Sequence, residues 1–272
     1  MATATMPVTL AVPHRSLSRT LALYAKEAKY ELINKTRIPV YAISTVVFPL
    51  MFYVLFGIVL GHDDPGKRGE TATYMLATMG CFGIMAVSLF GFGVSLAMER
   101  GQGWLQVKRA SPMPVSAYFL AKLLAAVAFS TVIMLLLLTV GIAFGGVRLP
   151  VATAAKLLGI LIAGSIPFSA MGLAIGYFAK PNSAPAVVNL IYLPMSFCSG
   201  LWIPLFLLPH GLRVLAQFLP PYHLAQLALN AVGEGMNPTP AWGHVEALLA
   251  FTLLCLGLAV WGYRRDEGKM YG

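Results

Sequence analysis

Charge is scarce in this chain. Of its 272 residues only 11% are Asp, Glu, Lys or Arg and 58% are hydrophobic, whereas soluble domains carry about 25% charged residues. So little charge cannot coat a water-facing surface, and a mean hydropathy of +0.76 points to a membrane protein. Cysteine is rare as well: Cys81, Cys198 and Cys255 all lie in apolar stretches, where a free thiol packs as a small hydrophobe, so no disulfide framework is expected. The first 38 residues lack an apolar core followed by a small-residue cleavage site, which argues against a removable signal peptide.

Catalytic signatures are also missing. The chain has no H-E-x-x-H, no G-x-S-x-G and no Cys/His metal spacing, and His210 and His223 read as interface side chains among prolines. No apolar segment carries a charge at its middle, since Glu99, Lys122, Lys156 and Glu246 all fall within about two turns of a boundary. That argues against ion-driven transport and against a channel with a charged ring. The nearest approach to a nucleotide loop is GHDDPGKR, residues 61–68. Gly61, Gly66 and Lys67 fit the phosphate-cradling pattern, but Arg68 replaces the magnesium-binding hydroxyl and no strand precedes. It reads as a solvated turn broken by Pro65, so no cofactor, metal or ATP site is expected in this chain.

What the chain has is apolar length. A helix needs about 20 mostly apolar residues to cross a bilayer, and six segments qualify: Pro39–Leu60, Thr71–Met98, Ser116–Phe144, Val151–Ala179, Ala184–Leu208 and Ala241–Tyr263. The expected fold is an all-α polytopic membrane protein with six transmembrane helices. The whole of residues 1–272 then forms one transmembrane domain: an N-terminal segment (1–38), a six-helix bundle (39–263) and a tail (264–272). Retained Lys and Arg mark cytoplasmic loops. Fourteen of the 19 fall on the side of the N-terminal segment, the second loop, Lys180 and the tail; the other five are Lys67, Arg68, Arg148, Lys156 and Arg213. Both termini are therefore expected in the cytoplasm, and the +9 net charge reports topology rather than a nucleic-acid partner, because its cations lie between apolar runs.

Two further stretches depart from plain spans or loops. Leu17, Leu21, Tyr24, Ala28 and Leu32 recur at helical spacing beside Arg19, Lys26, Lys29 and Lys35, the pattern of a basic amphipathic helix in the cytoplasmic interface. Between the fifth and sixth spans, LRVLAQFLPPYHLAQLALNAV carries one charge, Arg213, and is divided by Pro220-Pro221. Each half is too short to span, which predicts short re-entrant or outer helices. Gly57/Gly61, Gly141/Gly145 and Gly172/Gly176 are small-residue pairs that let membrane helices approach closely.

The second loop, ERGQGWLQVKRASPMP, Glu99–Pro114, is bounded by glycines and prolines that predict a short helix from about Trp104 to Arg109. An amphipathic leader, six spans, Glu-Arg-x-x-Gly closing in Pro-x-Pro after the second span, and SGLWIPLFLLPHGLRVLAQFLPPYHLAQL, Ser199–Leu227, before the sixth together resemble the permease subunit of type-2 ABC exporters over nearly the whole chain. The family usually has further acids and a Thr where this chain has Gly101, Trp104 and Gln106.

The resemblance implies that the second loop is a coupling helix docking a separate ATP-binding subunit, with Glu99, Arg100, Gly103, Trp104, Leu105, Lys108, Arg109, Pro112 and Pro114 as coupling positions. It implies two ATP-binding cassette partners that hold ATP and magnesium, a second permease copy in a homodimer, no catalysis by this chain, and a bacterial-type cytoplasmic membrane. It places the second and fifth spans along the pathway, where Phe82, Met85, Phe90, Asn189, Tyr192, Phe197 and Trp202 offer an aromatic, Met-rich wall. An uncharged wall suits export of a hydrophobic or amphiphilic, drug- or antibiotic-like molecule. The alternatives are a lipid-linked saccharide or glycolipid as cargo and, from another class, an intramembrane enzyme or membrane-anchored signalling partner.

Overall fold

A computed structural model describes residues 17–62, 68–110, 113–235 and 240–268, and every regular element among them is helical. The helices are α1 Leu17–Thr36, α2 Pro39–Phe52, α3 Arg68–Ser88, α4 Ser95–Gly101, α5 Trp104–Ala110, α6 Val115–Val140, α7 Val151–Phe178, α8 Ala184–Cys198, α9 His210–Ala216, α10 Pro220–Val232 and α11 Ala241–Gly268. In a bilayer the backbone must satisfy its own hydrogen bonds, which leaves helices as the economical solution for apolar segments of this length. Five helices are long and apolar enough to cross: Tyr41–Val59, Gly69–Gly101, Ser116–Gly145, Val151–Phe178 and Ala241–Asp266.

The second crossing helix is the spine. α3 passes into α4 through a π-helical stretch, Leu89–Val94, and 78% of its most apolar window is buried. Met79, Phe82, Ile84, Met85 and Leu89 all sit in one continuous core. Around it pack α2, α6, α7 and α10, while α11 lies on α7 and α1 lies along α6.

The expected fifth span departs from a continuous helix. α8 stops at Cys198 after 15 residues, about 22 Å at 1.5 Å per residue. Ser199 and Gly200 form a turn with Gly200 at φ 77, a conformation that glycine adopts without strain. A 3-10 turn, Leu205–Leu207, follows. The segment nevertheless runs the length of the spine: Val188 lies against Gly93, the Tyr192 hydroxyl donates to the Phe82 carbonyl at 3.1 Å, and Leu205 shares a cavity with Tyr74.

The proline-divided stretch folds as α9 and α10, broken before Pro220, with Pro220 and Pro221 in the first turn of α10, where their missing N–H groups cost nothing. α10 is buried against α3, α7 and α11, and Leu224 fits against the bare Cα of Gly164. The glycine pairs serve close approaches too. A Cβ on Gly172 or Gly176 would lie 3.0 Å from Phe92 Cβ or 2.9 Å from Leu96 Cβ, and Gly141 makes room for the hydroxyl of the fully buried Tyr53. Of GHDDPGKR, Gly61 and His62 end the first crossing and Arg68 opens α3; residues 63–67 lie outside the described residues.

Candidate functional site

The loop after the second crossing is built from its ends inward. α4 ends at Gly101, Gly103 takes φ 77, α5 makes two turns, and Pro114 caps α6 in an extended conformation. On α5, Leu105 is buried beside Leu96, Tyr118 and Tyr177, while Trp104 and Val107 are 56% and 60% exposed. The helix therefore sits on the bundle by one leucine and offers an aromatic and an aliphatic side chain outward. The side chains of Lys108 and Arg109, and all of Pro112, lie outside the described residues.

Glu99 and Arg100 point the other way, into the bundle. Lys122, fully buried on α6, donates to Glu99 Oε1 at 2.6 Å, Ser95 Oγ at 2.7 Å and Glu31 Oε1 at 3.0 Å. An ammonium has three protons, and all three are used. Ser95 Oγ donates to Glu99 Oε1 at 2.8 Å and Tyr118 donates to Glu99 Oε2 at 2.9 Å. Lys35 completes the cluster: it pairs with Glu31 at 3.5 Å and donates to the carbonyl of Gly91 at 3.1 Å, inside the π-helical stretch. Burial, reinforced by Lys122, pulls the Lys35 ammonium down to about 8. Two carboxylates and two ammoniums thus balance in a largely buried cluster joining α1, α4 and α6.

Arg100 serves a different wall. Its guanidinium donates to the carbonyls of Gly176, Tyr177 and Ala179, the unsatisfied acceptors at the C-terminal end of α7 where a cation is favoured. Its Nε also faces Asp266 of α11 at 3.7 Å. Two adjacent residues therefore tie the root of α5 to opposite sides of the bundle. Tyr24 on α1 bonds Ser116 at 2.6 Å, whereas Leu21, from the same predicted stripe, is exposed.

A second feature opens beside α3. An apolar cavity of about 560 Å³ lies between α2, the π-helical stretch and α8, within the usual size of small-molecule sites. Phe82, Phe90, Asn189, Tyr192 and Trp202 line it, as do Phe48 and Phe52 of α2. Met85 is fully buried behind this wall, and Phe197 lies on a face 40% exposed and outside the lining. Phe82 stacks on Tyr192 at 4.7 Å, and Trp202 packs on Phe52 at 4.3 Å and on Phe82 at 5.3 Å. The polar tips are already engaged, with Tyr192 bonded to Phe82 and Trp202 Nε1 donating to Ser196 Oγ at 3.1 Å. No charged side chain lines the cavity, and Asn189 makes no hydrogen bond among the described residues.

The sequence offered no sign that Glu31 meets Lys122, 91 positions away; only the shared helical face of Glu31 and Lys35 hinted at it. It also missed His244, whose Nδ1 lies 2.9 Å from Nδ1 of His223. Among the described residues no group of three or more His, Cys, Asp or Glu is placed to hold a metal.

Comparison with known proteins adds family to geometry. The model of the ABC-2 type transporter family matches residues 27–232, from α1 through the last turn of α10. A protein of Bacillus subtilis (strain 168) called "Putative transport permease YvfS" is 27% identical over 246 residues, covering 89% of this chain and 97% of that protein. With the match running through the buried charge cluster, α5, the aromatic cavity and the α9–α10 pair, this all-helical membrane chain belongs to the ABC-2 type transporter family.

Proposed function

We propose that the chain is the permease subunit of an ATP-driven exporter that moves a hydrophobic or amphiphilic small molecule, of drug or antibiotic type, out across a bacterial-type cytoplasmic membrane. Two separate ATP-binding cassette subunits supply hydrolysis, and two permease copies form the pathway. The observation that carries this reading is the aromatic cavity: large enough for a small molecule, uncharged, and with its tyrosine and tryptophan polar tips already bonded. A buried ion would lack a partner there. The same engagement disfavours a saccharide, because the Tyr192 and Trp202 rings are packed against Phe82 and Phe52 and Asn189 is the one polar group unengaged. The 14-to-5 distribution of Lys and Arg supports cytoplasmic termini, with α5 on the ATP side.

The chain's own residues supply the transmission. A cassette gripping Trp104 and Val107 would move α5. Glu99 passes that motion to α1 and α6, and Arg100 passes it to α7 and α11. Lys35, bonded to Gly91, carries it to the π-helical stretch whose Phe90 and Val94 face the cavity. These elements are packed rather than compliant, so a shift at one end is felt at the other.

Co-purification tests the assignment. In mild detergent the chain should bring down an ATPase subunit, show no ATPase activity alone, and in the complex show hydrolysis stimulated by an apolar probe such as a rhodamine dye. Trp202→Ala should lose that stimulation while basal hydrolysis persists. A chain that retains no ATPase and turns over a substrate by itself would sink the permease reading.

A further inference from the structure

A second cavity, of about 400 Å³, lies at the end of the bundle remote from α5, between the start of α3 and the α9–α10 pair. Its chemistry is unlike that of the aromatic cavity. Arg213, His210 and Gln217 line its rim and are exposed, and Arg213 makes no ion pair among the described residues. Deeper in, Tyr222 and Gln226 are buried and Glu234 is half-buried. Gln226 is 7% exposed and its Oε1 has no hydrogen-bond partner among the described residues. Burial, and then Glu70, raises the pKa of the Glu234 carboxyl, so a cation beside it would relieve a cost already present.

The polarity is therefore ordered. Gln226 Oε1 and the Glu234 carboxylate are acceptors on a lining that also holds the rings of Tyr74 and Tyr222, a set that suits an ammonium by charge and by ring faces. Donors, Arg213 and His210, stand at the mouth, where a guanidinium takes a phosphate. Beside the mouth the surface is apolar: Phe206 and Phe218 are 57% and 78% exposed. A ligand with an ammonium, an anion a few bonds away, and a hydrocarbon chain beyond matches all three zones. We propose that this cavity is a binding site for a phosphate–ammonium zwitterion, as in the phosphoethanolamine headgroup of a membrane lipid, with the acyl chains lying along Phe206 and Phe218. Occupied, it pins α9 and α10 to α3. The proposal does not depend on the cargo or on the direction of transport.

The full chain in detergent, delipidated and then offered defined lipids, provides the test. Retained lipid is measured by mass spectrometry, and protection by the thermal midpoint. Phosphatidylethanolamine should be kept over phosphatidylglycerol, which has the phosphate without the ammonium, by roughly tenfold, the scale of one good charged contact. Glu234→Gln should bring the ratio to near unity, whereas Arg213→Gln, at an exposed position where folding is not at issue, should weaken retention of both lipids and leave their ratio standing. Free phosphoethanolamine forms the second arm. Protection by the lipid alone places the source in the membrane, and protection by the soluble compound supports the same site with a soluble source. Equal retention of the two lipids by the unaltered chain, an unchanged ratio in Glu234→Gln, or undiminished retention of both lipids in Arg213→Gln overturns the site.

Discussion

Lys122→Met is the sharpest perturbation of the machinery beneath α5. The substitution keeps much of the side-chain length and removes one charge from a cluster of four. Glu31 and Glu99, 7% and 19% exposed as side chains, then keep Lys35 as the cluster's remaining ammonium, and Lys35 pairs with Glu31, at 3.5 Å. Removing one member of a buried pair costs about 3–5 kcal/mol, because the remaining charge stays buried and uncompensated. At about 2–4 °C per kcal/mol for a chain of this order of size, the thermal midpoint in detergent should fall by roughly 6–20 °C. Glu99→Gln added to Lys122→Met restores neutrality, leaving Glu31 with Lys35. The double variant should therefore be milder than the sum of the singles by about 0.5–3 kcal/mol. Scanning calorimetry or a fluorescence melt on all four proteins closes the cycle. Additive losses, or a single variant melting within about 2 °C of the parent, would refute a coupled, buried cluster.

Other outcomes follow from the same geometry. A Cβ at Gly101 would run into the ring of Pro181, so Gly101→Ala should push α4 off the α7–α8 turn, cost about 1–3 kcal/mol and lower transport per ATP hydrolysed in the reconstituted complex. Gly141→Ala meets the Tyr53 hydroxyl; adding Tyr53→Phe should recover part of the lost midpoint, and no recovery would deny that contact. Gln217 O accepts from His223 Nε2 at 3.0 Å, so neutral His223 has a bare Nδ1 that takes the Nδ1 proton of His244. Burial lowers the pKa of His223. The unfolded chain therefore takes up the proton first, near 6.5, and stability should fall as pH drops below that value. A pH series of melts should decline from about 6.5 to 5 in the parent and be flatter in His223→Gln.

The membrane class and the α5 loop were legible because they rest on local chemistry. Apolar length identifies crossing helices, and Gly101, Gly103 and Pro114 punctuate the chain where α4 ends and α6 begins. Pro220-Pro221 likewise predicted the break between α9 and α10. Hydropathy failed where geometry rather than composition decides. It carried the fifth span to Leu208, although the helix ends at Cys198 before the left-handed Gly200. The family resemblance put Met85 and Phe197 on one wall with Tyr192; Met85 is buried in the core, and Phe197 is exposed outside the cavity's lining. Glu99 and Arg100 read as part of a docking loop, yet both are spent inside the bundle, because their partners lie on helices remote in sequence.

The π-helical stretch Leu89–Val94 sets the angular phase of everything after it. Each π turn takes one residue more than an α turn, and one residue is about 100° of helix rotation. Were the stretch to wind as plain α-helix with all its residues kept, everything downstream would turn by about that angle. Glu99 would swing from Lys122, Arg100 from the end of α7, and α5 would leave the bundle in a different direction. The alignment of these two contacts with the aromatic wall thus hangs on a surplus of one residue: a deletion within Leu89–Val94 lets the turn close as α-helix with Glu99 and Arg100 still in phase, whereas the same deletion in α4 would turn them away.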